Sequence, residues 1–127
     1  MGAGVLTVTG KNEALDALVS VNTTLYLGLL TTSVEETGVG VGGTPYARLA
    51  ITWAAAGAGA KANSVAVTFS NGGATDWGAA INQWGIYDAA TAGNQLASGA
   101  LDSARNMSIA GASIMFNIGA IVLTLSD

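Results

Sequence analysis

The side chains in this sequence that could do acid–base chemistry are carboxylates, because it contains no histidine and no cysteine. Glu35 and Glu36 are adjacent, and in an extended loop neighbouring side chains point to opposite sides rather than converging. Asp76, Asp88 and Asp102 sit next to turn residues, where aspartate ordinarily hydrogen-bonds local backbone. A glycosidase needs two carboxyl groups about 5–10 Å apart across a cleft, and the spacing assigns no such pair. A carboxylate-based glycan hydrolase is therefore a remote option. No Asp-x-Asp-x-Asp-Gly series offers a calcium loop. Serine nucleophiles have no histidine base, and no Ser-x-x-Lys motif supplies lysine instead.

Two further patterns have a bland explanation. Gly38-Val39-Gly40-Val41-Gly42-Gly43 formally matches a dinucleotide fingerprint. That fingerprint works only where the turn opens a helix whose N-terminus receives the pyrophosphate, and here Thr44-Pro45 and a strand pattern follow. A flexible or closely packed loop is the better reading. The aromatics Tyr26, Tyr46, Trp53, Trp77, Trp84 and Tyr87 could stack on sugars in a lectin-like groove, Trp77 and Tyr46 being the candidates for exposure. The competing reading is that Trp53, Phe69 and Trp84 fill a core otherwise made of small residues, as aromatics usually do. The sequence therefore predicts no catalytic, cofactor-binding or metal-ligating residue, no cofactor and no enzyme activity.

Charge narrows the partners. The four cations Lys11, Arg48, Lys61 and Arg105 are scattered and face eight acidic residues, for a net charge of −4. Phosphate-binding surfaces need clustered Lys and Arg, and anionic membranes attract polybasic clusters, so neither nucleic acid nor membrane is an expected partner. Charged residues make up 9% of the chain and apolar ones 50%, with 18 glycines and a mean hydropathy of +0.49. So few charges leave apolar surface to be covered, which points to a homo-oligomer or a subunit of a larger assembly. The alternative is a monomer whose many Ala and Gly residues inflate the apolar count.

These side chains must be held by a scaffold, and the periodicities suggest which. The start lacks the basic region of a secretory signal and fails the myristoylation pattern at Leu6. Residues 1–10 read as an ordinary first strand, or alternatively as an arm that adds to a neighbour's sheet edge. Ala14, Leu15, Leu18 and Val19 predict a short helix over 11–19, capped by Thr9. Strands are expected at 24–30, 46–53, 64–69, 79–87, 95–101, 106–109, 114–118 and 120–125, with loops at 33–45, 54–62 and 88–94 and a turn at Asn71-Gly72-Gly73. The uncharged stretch from Asn106 to Ser126 is of transmembrane length, but its polar residues, its glycines and its strand-like alternation make two strands the better reading. The 127 residues form one domain with no internal repeat. The expected fold is all-β with one short N-terminal helix: an antiparallel β-sandwich, jelly-roll-like, of about eight strands over 24–125.

Several segments, in this order, carry a likeness: Leu25-Tyr26-Leu27-Gly28-Leu29-Leu30-Thr31-Thr32, Pro45-Tyr46-Ala47-Arg48, Val67-Thr68-Phe69, Trp84-Gly85-Ile86-Tyr87-Asp88-Ala89, Gly93-Asn94-Gln95-Leu96, Ser98-Gly99-Ala100-Leu101 and Val122-Leu123-Thr124-Leu125. Together they resemble a family of small tailed-bacteriophage structural proteins, labelled tail-fibre or head decoration (cement) proteins. The likeness covers about Thr24 to Leu125. It implies a virion protein, assembled in the host cytoplasm, without catalytic residues, whose Tyr46-Ala47-Arg48 and Trp84–Asp88 segments are framework. The expectation is a capsid decoration protein, a homotrimer that binds the major capsid protein and stabilises the shell through many weak contacts. The alternative is a tail-fibre or tail accessory protein that touches the host surface, with glycan stacking on Trp77 or Tyr46.

Overall fold

The computed structural model describes residues 4–125. One helix, α1 (Val8–Asn22), precedes nine strands: β1 (Leu25–Thr31), β2 (Val34–Glu35), β3 (Leu49–Ile51), β4 (Ala60–Ala62), β5 (Val67–Ser70), β6 (Ile81–Tyr87), β7 (Gln95–Arg105), β8 (Ser113–Phe116) and β9 (Val122–Thr124). All the strand pairings are antiparallel. The expected all-β class with a short N-terminal helix is the one observed. The main sheet runs β2-β1-β6-β7, with β3 also on β1. Two separate ribbons, β4-β9 and β5-β8, take the place of one continuous second sheet.

β1 and β6 are the apolar runs of the sequence, and they pair centrally, with Leu27 opposite Ile86, Gly28 opposite Gly85 and Leu29 opposite Trp84. Their continuous apolar character follows from burial on both faces. On one face Leu25, Leu27, Leu29, Trp84 and Ile86 enter the core, where they meet Phe69 and Val67 of β5, Ile114 and Phe116 of β8, and Leu123 of β9. Phe69 and Phe116 cross edge to face at 6.2 Å between centroids. Trp53, Phe69 and Trp84 all pack in or against this core, as expected.

Two buried asparagines clamp the β5-β8 ribbon, one at each end. Asn71 donates to the carbonyls of Met107 (3.0 Å) and Ile109 (2.7 Å) and accepts from the N–H groups of Gly73 and Gly111. Asn63 donates to the carbonyls of Val65 and Asn117 and accepts from Ile121 N–H. Each uses its amide fully on both donors and acceptor, which is what makes burial of so polar a group tolerable.

Several boundaries differ from expectation. The helix begins at Val8 because Thr7 supplies the cap, its Oγ accepting from Gly10 N–H at 3.1 Å. The Thr9 cap and the strand over 1–10 are therefore corrected: residues 8–10 are helical and residues 4–7 form no strand. Residues 1–3, where the rest of the proposed arm falls, lie outside the described residues. Only Leu49–Ile51 of the 46–53 stretch is strand, since Tyr46 and Arg48 are drawn over the sheet. β4 lies in the supposed 54–62 loop, through pairing of Lys61 with Leu123. Residues 106–109 are not a strand, their carbonyls being held by Asn71. The chain turns at 118–119, so Ile118 is 69% exposed and the alternation that began at Ile114 ends there. No helix among the described residues is long and apolar enough to cross a membrane.

Candidate functional site

A cluster of charged and aromatic side chains lies on the outer face of the main sheet, and glycines make it possible. Gly28 and Gly85 are directly opposed on β1 and β6. A Cβ at either would come within 2.8–2.9 Å of the Tyr87 ring, so the two leave a flat floor on which that ring lies. Arg48 stacks on Tyr87, its Cζ 3.6 Å from the ring centroid. Glu35 then fixes Arg48 through both carboxylate oxygens: Nε donates to Oε2 at 2.8 Å and Nη2 to Oε1 at 2.7 Å. Nη1 donates to the carbonyls of Ala89 and Ala92 at 2.8 and 2.7 Å, tying the guanidinium to the β6–β7 loop. Tyr46 completes the cluster, donating to Glu35 Oε2 at 2.8 Å and accepting from Leu29 N–H at 3.1 Å.

The electrostatics follow. Burial pushes the Glu35 carboxyl up, but the hydrogen bonds from Arg48 and Tyr46 outweigh it and hold the group below the usual carboxylate range. The bond to Glu35 raises Arg48, while burial opposes it. Tyr46 is pushed far above the usual phenol range by burial, and its bond to Glu35 adds to that. The arrangement is a neutralised ion pair with a stacked cation, and four of the five guanidinium donors are engaged within the chain. A shallow groove of about 310 Å³ beside it is lined by Glu35, Glu36, Thr37, Ala47 and Arg48. Of the side chains there, Glu35, Tyr46 and Arg48 are already paired with one another.

The remaining carboxylates also serve the backbone. Glu36 accepts from Gly78 N–H, a partner that Glu35 does not share. Asp76 accepts from the N–H groups of Val39, Gly40 and Val41 at 2.8–3.2 Å. Desolvation would raise its carboxyl, but these three donors outweigh it and hold the group low. The glycine-rich segment that mimics a phosphate loop is thus an anion-binding nest whose anion is the chain's own Asp76. Asp88 accepts from Asn94 N–H at 2.7 Å, which keeps its carboxyl low. Asp102 departs from expectation: it lies within β7, not beside a turn. Asp16 of α1 pairs with the buried Lys61 at 2.6 Å, a contact between distant segments that the sequence reading missed. Among the described residues, no three His, Cys, Asp or Glu gather where they could hold a metal ion.

The expected exposure of Trp77 is corrected, and Tyr46 is half-buried. Trp77 is 4% exposed, with its Nε1 donating to Thr44 carbonyl at 2.9 Å. Tyr46 lies between Phe69 and Trp77, with ring centroids 6.3 and 5.6 Å away, and its hydroxyl is occupied. The sequence reading missed this because an isolated tryptophan in a loop carries no periodicity that would reveal its burial.

Gly28, Tyr46, Arg48, Gly85, Tyr87, Asp88 and Asn94 come from widely separated segments, yet they meet in one place. Those are the segments that carried the likeness to phage structural proteins. Residues 7–124 match the family model of podophage GP4 fiber I protein gp80. The chain belongs to this family. A comparison with curated proteins finds no match. The Glu35–Arg48–Tyr87 cluster fastens the 34–48 loop and the 88–94 loop onto the central strands. Of the two placements expected from sequence, head shell and tail fibre, the family description supports the fibre.

Proposed function

We propose that this protein is a structural component of a podophage tail fibre, with a role in assembly rather than turnover. The family match over 7–124, described by a fibre protein, carries the reading. Two features of the molecule support it. Its charged side chains are largely paired internally, and its exposed surface is studded with large apolar ones, among them Val21 at 81%, Val39 at 73%, Ile118 at 69% and Val34 at 67%. Such a surface suits permanent contact with copies of itself and with other virion proteins, since lasting interfaces are more apolar than ordinary surface. Glycan stacking at Trp77 or Tyr46 has no support in this geometry. The capsid decoration reading, with binding to the major capsid protein, lacks a specific observation in its favour.

Purified virions test the proposal by two measurements. Quantitative mass spectrometry against the major capsid protein should give a copy number far below that of the shell subunit, and gold-labelled antibody should decorate the tail fibres. Near-equimolar copies with label over the head would overturn the fibre placement in favour of shell decoration. Absence from the particle would overturn the virion role altogether.

A further inference from the structure

The charged side chains placed so far serve the chain itself, with an exception on β7. Asp102 and Arg105 make no hydrogen bond or ion pair with any described residue, and both line the same cavity. It opens between the main sheet and the β5-β8 ribbon, two layers that no strand pairing joins. β7 bulges here: Gln83 pairs with Ala100 and Ile81 with Arg105, so two steps along β6 span five along β7. A bulge re-aims the side chains it carries, and Asp102 lies in this one. Trp84, Ile114 and Phe116, all buried, form the floor. The Trp84 indole lies over Gly99, where any Cβ would collide with the ring. Trp84 is 7% exposed, yet its Nε1 has no partner in the chain and, unlike that of Trp53, is not sealed from solvent. Such an N–H is satisfied by water or by a ligand, and the cavity its side chain lines is where either reaches it. Asn117 adds an amide. Asn63 Nδ2 donates to the Asn117 carbonyl at 3.0 Å, which fixes the chain there and leaves the Asn117 side chain unengaged.

We propose that this cavity binds a neutral, hydroxyl-rich ring the size of one hexose. The ligand class follows from the groups that converge there. The indole N–H and the guanidinium only donate, the Asp102 carboxylate only accepts, and the Asn117 amide does both. A free anion would gain from Arg105 but lose to Asp102, and a net charge of −4 repels it further. A free cation would meet the reverse conflict at Arg105. Hydroxyl groups donate and accept without carrying charge, so a ring bearing several of them uses all four partners together, where one short polar side chain would reach one or two. Its C–H face has the buried Ile114 and Phe116 to rest on. The volume of about 220 Å³ is that of about seven waters at roughly 30 Å³ each, which is room for one ring and not for two. A single ring in so small and open a site binds in about the millimolar range. The site belongs to one chain wherever that chain sits in the virion, so its failure would leave the fibre placement standing.

The three tryptophans make the test direct, because each indole N–H gives its own resonance in a ¹⁵N–¹H spectrum of the native chain. Trp77 Nε1 is bonded to the Thr44 carbonyl and Trp53 Nε1 is sealed from solvent, so these two serve as internal controls. Trp84 is assigned through its contact with Gly99. Titration with glucose, galactose and N-acetylglucosamine should move the Trp84 resonance saturably for at least one of them and leave the other two in place. Sodium acetate and methylammonium chloride, the anionic and cationic probes, should move it less. D102N and R105Q, both at exposed positions, should keep the native melting temperature and weaken the binding by about five- to tenfold. No saturable movement of Trp84 with any of the three sugars by about 100 mM would overturn the proposal. So would a stronger response to acetate or methylammonium, equal movement of all three indoles, or native affinity in both variants.

Discussion

Arg48 shows how few residues hold the outer face together. Its planar fork grips both oxygens of Glu35 and two loop carbonyls while its flat face covers Tyr87. Lysine keeps the charge but cannot reproduce the fork. Arg48→Lys should therefore leave at least one of these acceptors unpaired and lower unfolding free energy by about 1–3 kcal/mol, read from urea denaturation. Trp77 makes a contrasting case. Because it is core rather than a sugar platform, Trp77→Ala should lower stability by about 3–5 kcal/mol. Weaker host adsorption by that variant with unchanged stability would contradict the burial described for it.

At the scale of elements, the β1–β2 connection carries visible strain. Thr31 pairs with Val34, leaving a two-residue loop in which Thr32 and Ser33 both have positive φ, 46° and 67°. Tight hairpins demand this backbone and ordinarily fill it with Asn-Gly, whereas a β-branched residue there is an outlier. Side chains of β6 hold the turn in place: Asn82 Oδ1 accepts from Thr32 N–H at 2.9 Å and Gln83 Oε1 from Ser33 N–H at 2.6 Å. Replacing Thr32 with Asn and Ser33 with Gly should relieve the strain and raise stability by about 0.5–1 kcal/mol, seen as a higher urea midpoint with unchanged slope. α1 lies at the other extreme. Leu15 is its one buried residue, and it is held to the rest of the chain largely by Asp16–Lys61 and Asn12–Gly59. Its amides should exchange with deuterium well before those of β1 and β6, since elements with few buried contacts open locally.

For the whole molecule, the titratable groups define a plateau of stability with two edges. Glu35 lies below its ordinary 4.5, and Asp16, Asp76 and Asp88 lie below 3.8. As pH falls past these ordinary values, the unfolded chain takes up protons before the folded one does, so the stabilisation is lost on the acid side. Tyr46 and Tyr87 lie above 10.0. The unfolded chain releases those protons first, so stability also falls as pH rises through about 10. With no histidine to titrate between, the urea midpoint should be flat from about pH 5 to pH 9 and decline on both sides. A midpoint that changes steadily across neutrality would contradict this account. Glu35→Gln should weaken the acid decline.

The sequence by itself determined the elements whose cause is local. β1 and β6 are legible because both faces are buried and the apolar run is continuous; the 71–73 turn and the 88–94 loop are legible from their Asn and Gly residues. The absence of histidine and cysteine, the sparse charge and the ordered motifs were enough to indicate a phage structural family. What only tertiary structure decided depends on partners far along the chain. β4 exists because Leu123 pairs with Lys61 and Asp16 neutralises its ammonium. Residues 106–109 are pinned as loop by an asparagine some 36 positions earlier. The Gly38–Gly43 segment is closed by Asp76, and Trp77 is buried through the fold of a loop that has no period of its own. A one-dimensional pattern records which face of an element is apolar, but not which distant side chain will fill a hydrogen bond. That difference separates the parts of this fold visible in its sequence from those that were not.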